Sequence, residues 1–169
     1  MASETESRED TRMDAEPGAE PGEVAPRSIS IVTQYTKDLS FENPRAPESL
    51  IQENAQPHGE VAIQLKTRAL GSDNYEVVIE FDVKATQDGE VAFIVELAYG
   101  GVFNLAGIDE RLRDIAVMVE CPRMLFPFAR RIVADAVRDG GFTPLMLAPV
   151  DFLGLYHRRN EGAAAGNGG

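Results

Sequence analysis

A single cysteine, Cys121, occurs in the 169-residue chain. It cannot form an intramolecular disulfide, and it rules out a cysteine metal cluster. No apolar run approaches the ~18 residues of a membrane-spanning helix. The N-terminus lacks a basic region followed by an apolar stretch, which argues against a secretory signal. A reducing cytoplasm is the expected location. Catalytic signatures are absent as well. There is no Gly-rich phosphate loop ending in Gly-Lys, no nucleophile elbow, no His-Glu-x-x-His and no paired-cysteine motif. The two histidines, His58 and His157, are far apart, and nothing in the sequence pairs them with a nucleophile. The acids Glu76 and Glu80 fall on an open strand face and not in a recognisable cleft. Cys121 precedes the helix opener Pro122. A helix N-terminus can lower a thiol pKa, but a buried, inert cysteine is the commoner case. The expectation is a protein that is not an enzyme and uses no cofactor and no metal.

Basic residues are also scarce. Lys and Arg number 16 against 28 acids, for a net charge of -12. Residues 1–28 carry -5 of it, and residues 158–169 carry +1, so the middle of the chain holds -8. An acidic domain repels phosphate backbones, which disfavours nucleic acid. It suits basic partners or simple solubility.

What is present is enough for one globular domain: 43% of residues are hydrophobic, and the length fits a single core. Residues 1–28 are rich in Glu, Ser, Pro, Gly and Ala. They are expected to form a disordered acidic tail, because they cannot bury enough surface to offset ordering entropy. The domain is expected over 29–157, followed by a mobile tail at 158–169.

Strand patterns dominate the first half. Ile29, Ile31, Thr33 and Tyr35 fall on one side of a strand. Asp38 and Glu42 then share a face opposite Leu39 and Phe41. A long connection from Asn43 to Pro57 carries Leu50 and Ile51. Loops of this length are usually functional or disordered. Alternation returns at Val61, Ile63 and Leu65, again from Tyr75 to Val83, and again at Val91, Phe93, Val95 and Leu97. Gly71 to Asn74 and Gln87 to Glu90 are short turns, and Asp-Gly is a strong hairpin signal. Connections this short require an antiparallel meander. One face is apolar. The other carries Glu76, Glu80, Asp82 and Glu96 around Ile94.

At Gly100-Gly101-Val102-Phe103-Asn104-Leu105-Ala106-Gly107-Ile108 the two-residue period gives way to a helical one. The stretch reads as a hinge from sheet to helices. Ile108, Leu112, Ile115, Ala116 and Val119 follow helical spacing. Pro122 opens a second helix, with Leu125, Phe128, Ala129, Ile132, Val133, Ala136 and Val137 as its stripe and Gly140-Gly141 as its stop. A short last helix begins near the N-cap Asp151. The fold class is α+β, a four-stranded antiparallel sheet with helices packed on one face. The helices have more apolar surface than so small a sheet covers. They are buried between subunits, or they pack on each other in a compact monomer.

Four stretches together resemble a known family. They are Tyr35-Thr36-Lys37-Asp38-Leu39-Ser40-Phe41-Glu42, the segment Gly100 to Ile108, Leu125-Phe126-Pro127-Phe128-Ala129-Arg130, and Leu147-Ala148-Pro149-Val150-Asp151-Phe152. In this order and spacing they resemble the bacterial protein-export chaperone SecB over residues 29–157. The resemblance implies a cytosolic, ATP-independent holdase that assembles as a homotetramer, a dimer of dimers. It would keep precursor proteins unfolded for export and pass them to the translocation ATPase SecA, without nucleic acid and without membrane insertion. By family position, SecA docks at Asp38, Glu42, Ile94 and Glu96. The client groove involves Leu50, Ile51, Val61, Ile63 and Leu65. Many relatives have a tryptophan where this chain has Ala55, so that aromatic contact is missing. The alternative is a SecB-like general or antitoxin-linked interaction module without an export role.

Overall fold

The computed structural model describes residues 28–51 and 57–165, without the side chains of 163–165. The expected tail at 1–28 falls outside it except for its last residue, as do Ala55 and the end of the C-terminal tail. Four long strands form one antiparallel sheet: β1 (Ser30–Glu42), β2 (His58–Gly71), β3 (Asn74–Gln87) and β4 (Glu90–Asn104), in the order β1-β4-β3-β2. β1 and β2 are therefore the two edges. Asp88 and Gly89 make the β3–β4 hairpin with φ of 55° and 80°. That two-residue mirror-type turn is what Asp-Gly favours. A four-residue helix, α1 (Glu48–Ile51), interrupts the long connection after β1.

β1 departs from simple alternation. Register shifts at Val32 and Lys37 insert extra residues into it. Ile31 stands opposite Phe103 on the helix side, yet Thr33 and Tyr35 stand opposite Val102 and Gly100 on the outer side. The expected grouping of Ile31 with Thr33 and Tyr35 is thus corrected. One extra residue moves everything beyond it to the other face. Beyond Lys37, Asp38, Ser40 and Glu42 point outward, and Leu39 and Phe41 point to the helices.

The glycine pair is not a hinge. Gly100 and Gly101 lie inside β4, which runs on to Asn104 opposite Ser30 of β1. The turn is confined to the next few residues, where Gly107 has φ 79°. The glycines serve close packing. A Cβ on Gly100 would lie 3.1 Å from the Tyr35 ring, and one on Gly101 would lie 2.9 Å from Leu125 Cδ2.

The helices cover one face. α2 (Glu110–Ile115) is capped by Asp109, whose carboxylate accepts from the Arg111 N–H. A π-helical turn, Ala116–Glu120, joins it without a break to α3 (Cys121–Asp139). Two separate helices were expected at Pro122. The chain stays helical because Cys121 N–H bonds back to Ala116, one residue further than an α-helix reaches. A proline that offers no N–H is accommodated beside such a widened turn. α4 (Phe152–Ala165) begins at Asp151, whose Oδ1 accepts from Gly154 N–H at 2.9 Å. It extends past the boundary expected at 157, and Ala163 to Ala165 suit that extension as the best helix formers.

The core lies between these layers. Val77, Ile79, Phe81 and Val83 of β3 and Val95 and Leu97 of β4 face Leu125, Ala129 and Val133 of α3. Phe126 links the sheet to α4, with its ring 6.1 Å from both Phe81 and Phe152. All helices of the described residues are on this side, and among those residues none covers the other sheet face.

Candidate functional site

The open face divides into two electrostatic halves. Glu42 pairs with Ile94, Ser40 with Glu96, and Asp38 with Ala98 across β1–β4. On the far side of β4, Asp82 stands opposite Glu96 and Lys84 opposite Ile94. Asp38, Glu42, Ile94 and Glu96 are therefore brought together at one end of the face, with Asp82 beside them. The acids are exposed and Ile94 is half-buried. Among the described residues, no Lys or Arg forms an ion pair with Asp38, Glu42, Asp82 or Glu96.

The other half is internally neutralised. Glu76 accepts from Tyr35 Oη and from Lys37 Nζ at 3.1 Å on Oε1, and from Arg68 Nε at 3.1 Å on Oε2. Lys66 Nζ lies 2.7 Å from Glu80. The hydrogen bond from Tyr35, then that from Lys37, holds the Glu76 carboxyl below the usual range. Burial, then the bond to Glu76, pushes Tyr35 up to about 12. Donors aimed at the carboxylate favour its ionised form, and the Tyr35 hydroxyl that donates to it holds its proton more tightly.

On the helix side, Ile63 and Leu65 stand opposite Phe81 and Ile79 at the β2 edge. With Met118, Leu155, Tyr156 and Arg159 they line a shallow cleft of about 140 Å³ between β2, the π-helical turn and α4. Val61, opposite Val83, shares the face of Ile63 and Leu65 nearer the start of β2, outside the lining of this cleft. Leu50 sits elsewhere, near the end of α3, where a Cβ on Gly141 would meet it at 3.1 Å. Ile51 is 75% exposed. The five groove residues are thus not one continuous surface within a single chain.

Cys121 is buried. Burial, and secondarily the Glu120 charge, pushes its thiol up to about 12, the reverse of an activated nucleophile. His58 and His157 are exposed.

Comparison with known proteins decides the family. Residues 22–163 match the family described as "Preprotein translocase subunit SecB". A "Protein-export protein SecB" from Rhodopseudomonas palustris (strain BisB5) is 49% identical over 144 residues, covering 85% of this chain and 91% of the relative. The protein of the same name from Maricaulis maris (strain MCS10) is 50% identical over 137 residues, covering 81% and 80%. The chain belongs to the SecB family.

A solved structure agrees in fold. It is a Mycobacterium tuberculosis SecB-like chaperone in complex with a ChAD peptide from the HigA1 antitoxin, with TM-score 0.61, 15% identity, and coverage of 72% of this chain and 90% of that one. Within the SecB frame, two groups escaped the sequence reading. One is the Tyr35–Lys37–Arg68–Glu76 cluster. Gly100 opposite Tyr35 was its available signal, since a residue without a side chain leaves room for a ring to cross. The other is the cleft wall from Met118, Leu155 and Tyr156. Its signal was the surplus of apolar residues on the last helices.

Proposed function

We propose that this SecB protein is a cytoplasmic, ATP-independent holdase that assembles as a dimer of dimers and delivers precursors to SecA. It is a protein-export chaperone by family. The observation that carries the finer reading is the separation of two surfaces on opposite faces of one sheet. The cleft at Ile63 and Leu65 is apolar and open at an edge strand, which suits non-native segments of many sequences. The acidic end at Asp38, Glu42, Ile94 and Glu96, whose acids form no ion pair among the described residues, suits a basic partner, with charge speeding encounter and Ile94 adding apolar contact. A chain can then be held on one face while the carrier is recognised on the other. Binding the unfolded state shifts folding by mass action and needs no hydrolysis.

Assembly is supported by what a single chain leaves uncovered. Phe128 of α3 is 46% exposed, Leu112 is 57% exposed and Val32 on the β1 edge is 61% exposed. Joining copies would also bring separated groove residues such as Leu50 into one surface. An antitoxin-linked role has only a distant fold likeness behind it, whereas the export role has relatives at about half identity.

The docking assignment is tested by charge reversal. Glu96→Lys and Asp38→Lys should each weaken SecA binding by roughly tenfold or more at low salt. They should leave the delay of client refolding unchanged. SecA affinity equal to wild type in both variants would remove the acidic face as the docking site.

A further inference from the structure

Glu76 sits on β3, yet its partners come from both edges of the sheet. Arg68 belongs to the neighbouring strand β2, but Tyr35 and Lys37 belong to β1, and β4 lies between. Tyr35 crosses β4 at Gly100, where a Cβ would stand 3.1 Å from its ring. Lys37 is the extra residue of the β1 bulge, since Thr36 pairs with Tyr99 and Asp38 with Ala98, the next residue of β4. Asp38 follows it directly. Downstream, Phe41 is fixed on the helix side against Phe93, with ring centroids 5.9 Å apart. Tyr35 outward and Phe41 inward are compatible only if one extra residue lies between them. The same extra residue sets Asp38 outward.

We propose that Glu76 is a positioning residue for the docking face: by holding Tyr35 and the bulged Lys37, it fixes the β1 bulge that turns Asp38 toward the partner. Glu76 is 7% exposed, so it acts through Asp38 and not by touching SecA. This rests on the docking reading above. The cluster is suited to the task because each of its three donors is held by an ionised acceptor in a partly buried place, where charge-assisted bonds are strongest. Lys37, Lys66 and Arg68 are committed to Glu76 and Glu80. Of the lysines and arginines on this face, only Lys84, opposite Ile94, therefore stands beside the acids at the far end, and it forms no ion pair with them among the described residues.

The test is calorimetric titration of SecA into the full chain, using Glu76→Gln and, as a milder second variant, Tyr35→Phe. Tyr35→Phe keeps the ring over Gly100 and removes only the hydroxyl's bond. Glu76→Gln should weaken binding about three- to tenfold, and Tyr35→Phe should act in the same direction. In an Asp38→Ala background the Glu76→Gln loss should nearly vanish. In a Glu42→Ala background it should persist in full, because Glu42 lies beyond the Phe41 anchor. A purely structural defect would lower affinity equally in both backgrounds, and that result would overturn the proposal. So would wild-type affinity in Glu76→Gln. If Asp38→Ala and Glu42→Ala alone leave SecA binding unchanged, the docking reading fails and the positioning role falls with it.

Discussion

Phe41 of β1 occupies the space that a side chain on Gly140 would need: a Cβ there would lie 2.0 Å from Phe41 Cζ. The end of α3 therefore seats on the edge strand through a glycine. Gly140 has helical dihedrals, φ -73° and ψ -1°, so the demand is for room and not for backbone freedom. Gly140→Ala should destabilise the chain by about 1–3 kcal/mol, the usual cost of overpacking a fitted site. Thermal or urea unfolding measures it.

Glu76 also makes stability depend on pH. Its folded-state pKa is depressed, by the Tyr35 hydrogen bond first. The folded form thus favours the carboxylate. Its stabilisation is present above the ordinary value of 4.5 and is lost as pH falls through the folded value. Wild type should melt at a higher temperature than Glu76→Gln near neutrality, and the gap should close on acidification below that value. A gap that stays constant down to the acid unfolding limit would contradict the assignment.

The cleft at the β2 edge makes a separate prediction. Ile63→Ser and Leu65→Ser remove apolar surface from its floor, and each should weaken client binding by roughly tenfold. SecA affinity should not change, because the acids proposed for docking lie on the opposite face. A fluorescently labelled unfolded precursor, titrated against each variant, reads this out. Tyr156→Ala, on the α4 wall of the same cleft, should act in the same direction.

Much of this architecture was legible in the residues. The alternation from Tyr75 to Val83 and the Asp88-Gly89 turn fix β3, its hairpin and its buried face, and Asp151 marks the start of α4. The bulges at Val32 and Lys37 were not legible. An extra residue in a strand leaves no compositional trace, and only pairing with β4 shows that Tyr35 has changed sides. β4 was read too short because its period fades at Gly100 and Gly101, whose missing side chains make room for Tyr35 and Leu125. The continuous helix through Pro122 was missed because proline ordinarily ends one. The acidic end proposed for docking was visible as a face of one charge sign. Its contrast with the neutralised half around Glu76 required knowing which cations cross the sheet.

The holding activity itself is tested most directly by refolding a slow-folding export precursor from denaturant with stoichiometric amounts of this chain and no nucleotide. Folding should be delayed by an amount that grows with chaperone concentration, and the delay should disappear when the precursor folds before mixing. Refolding at the uncatalysed rate at every concentration would contradict it.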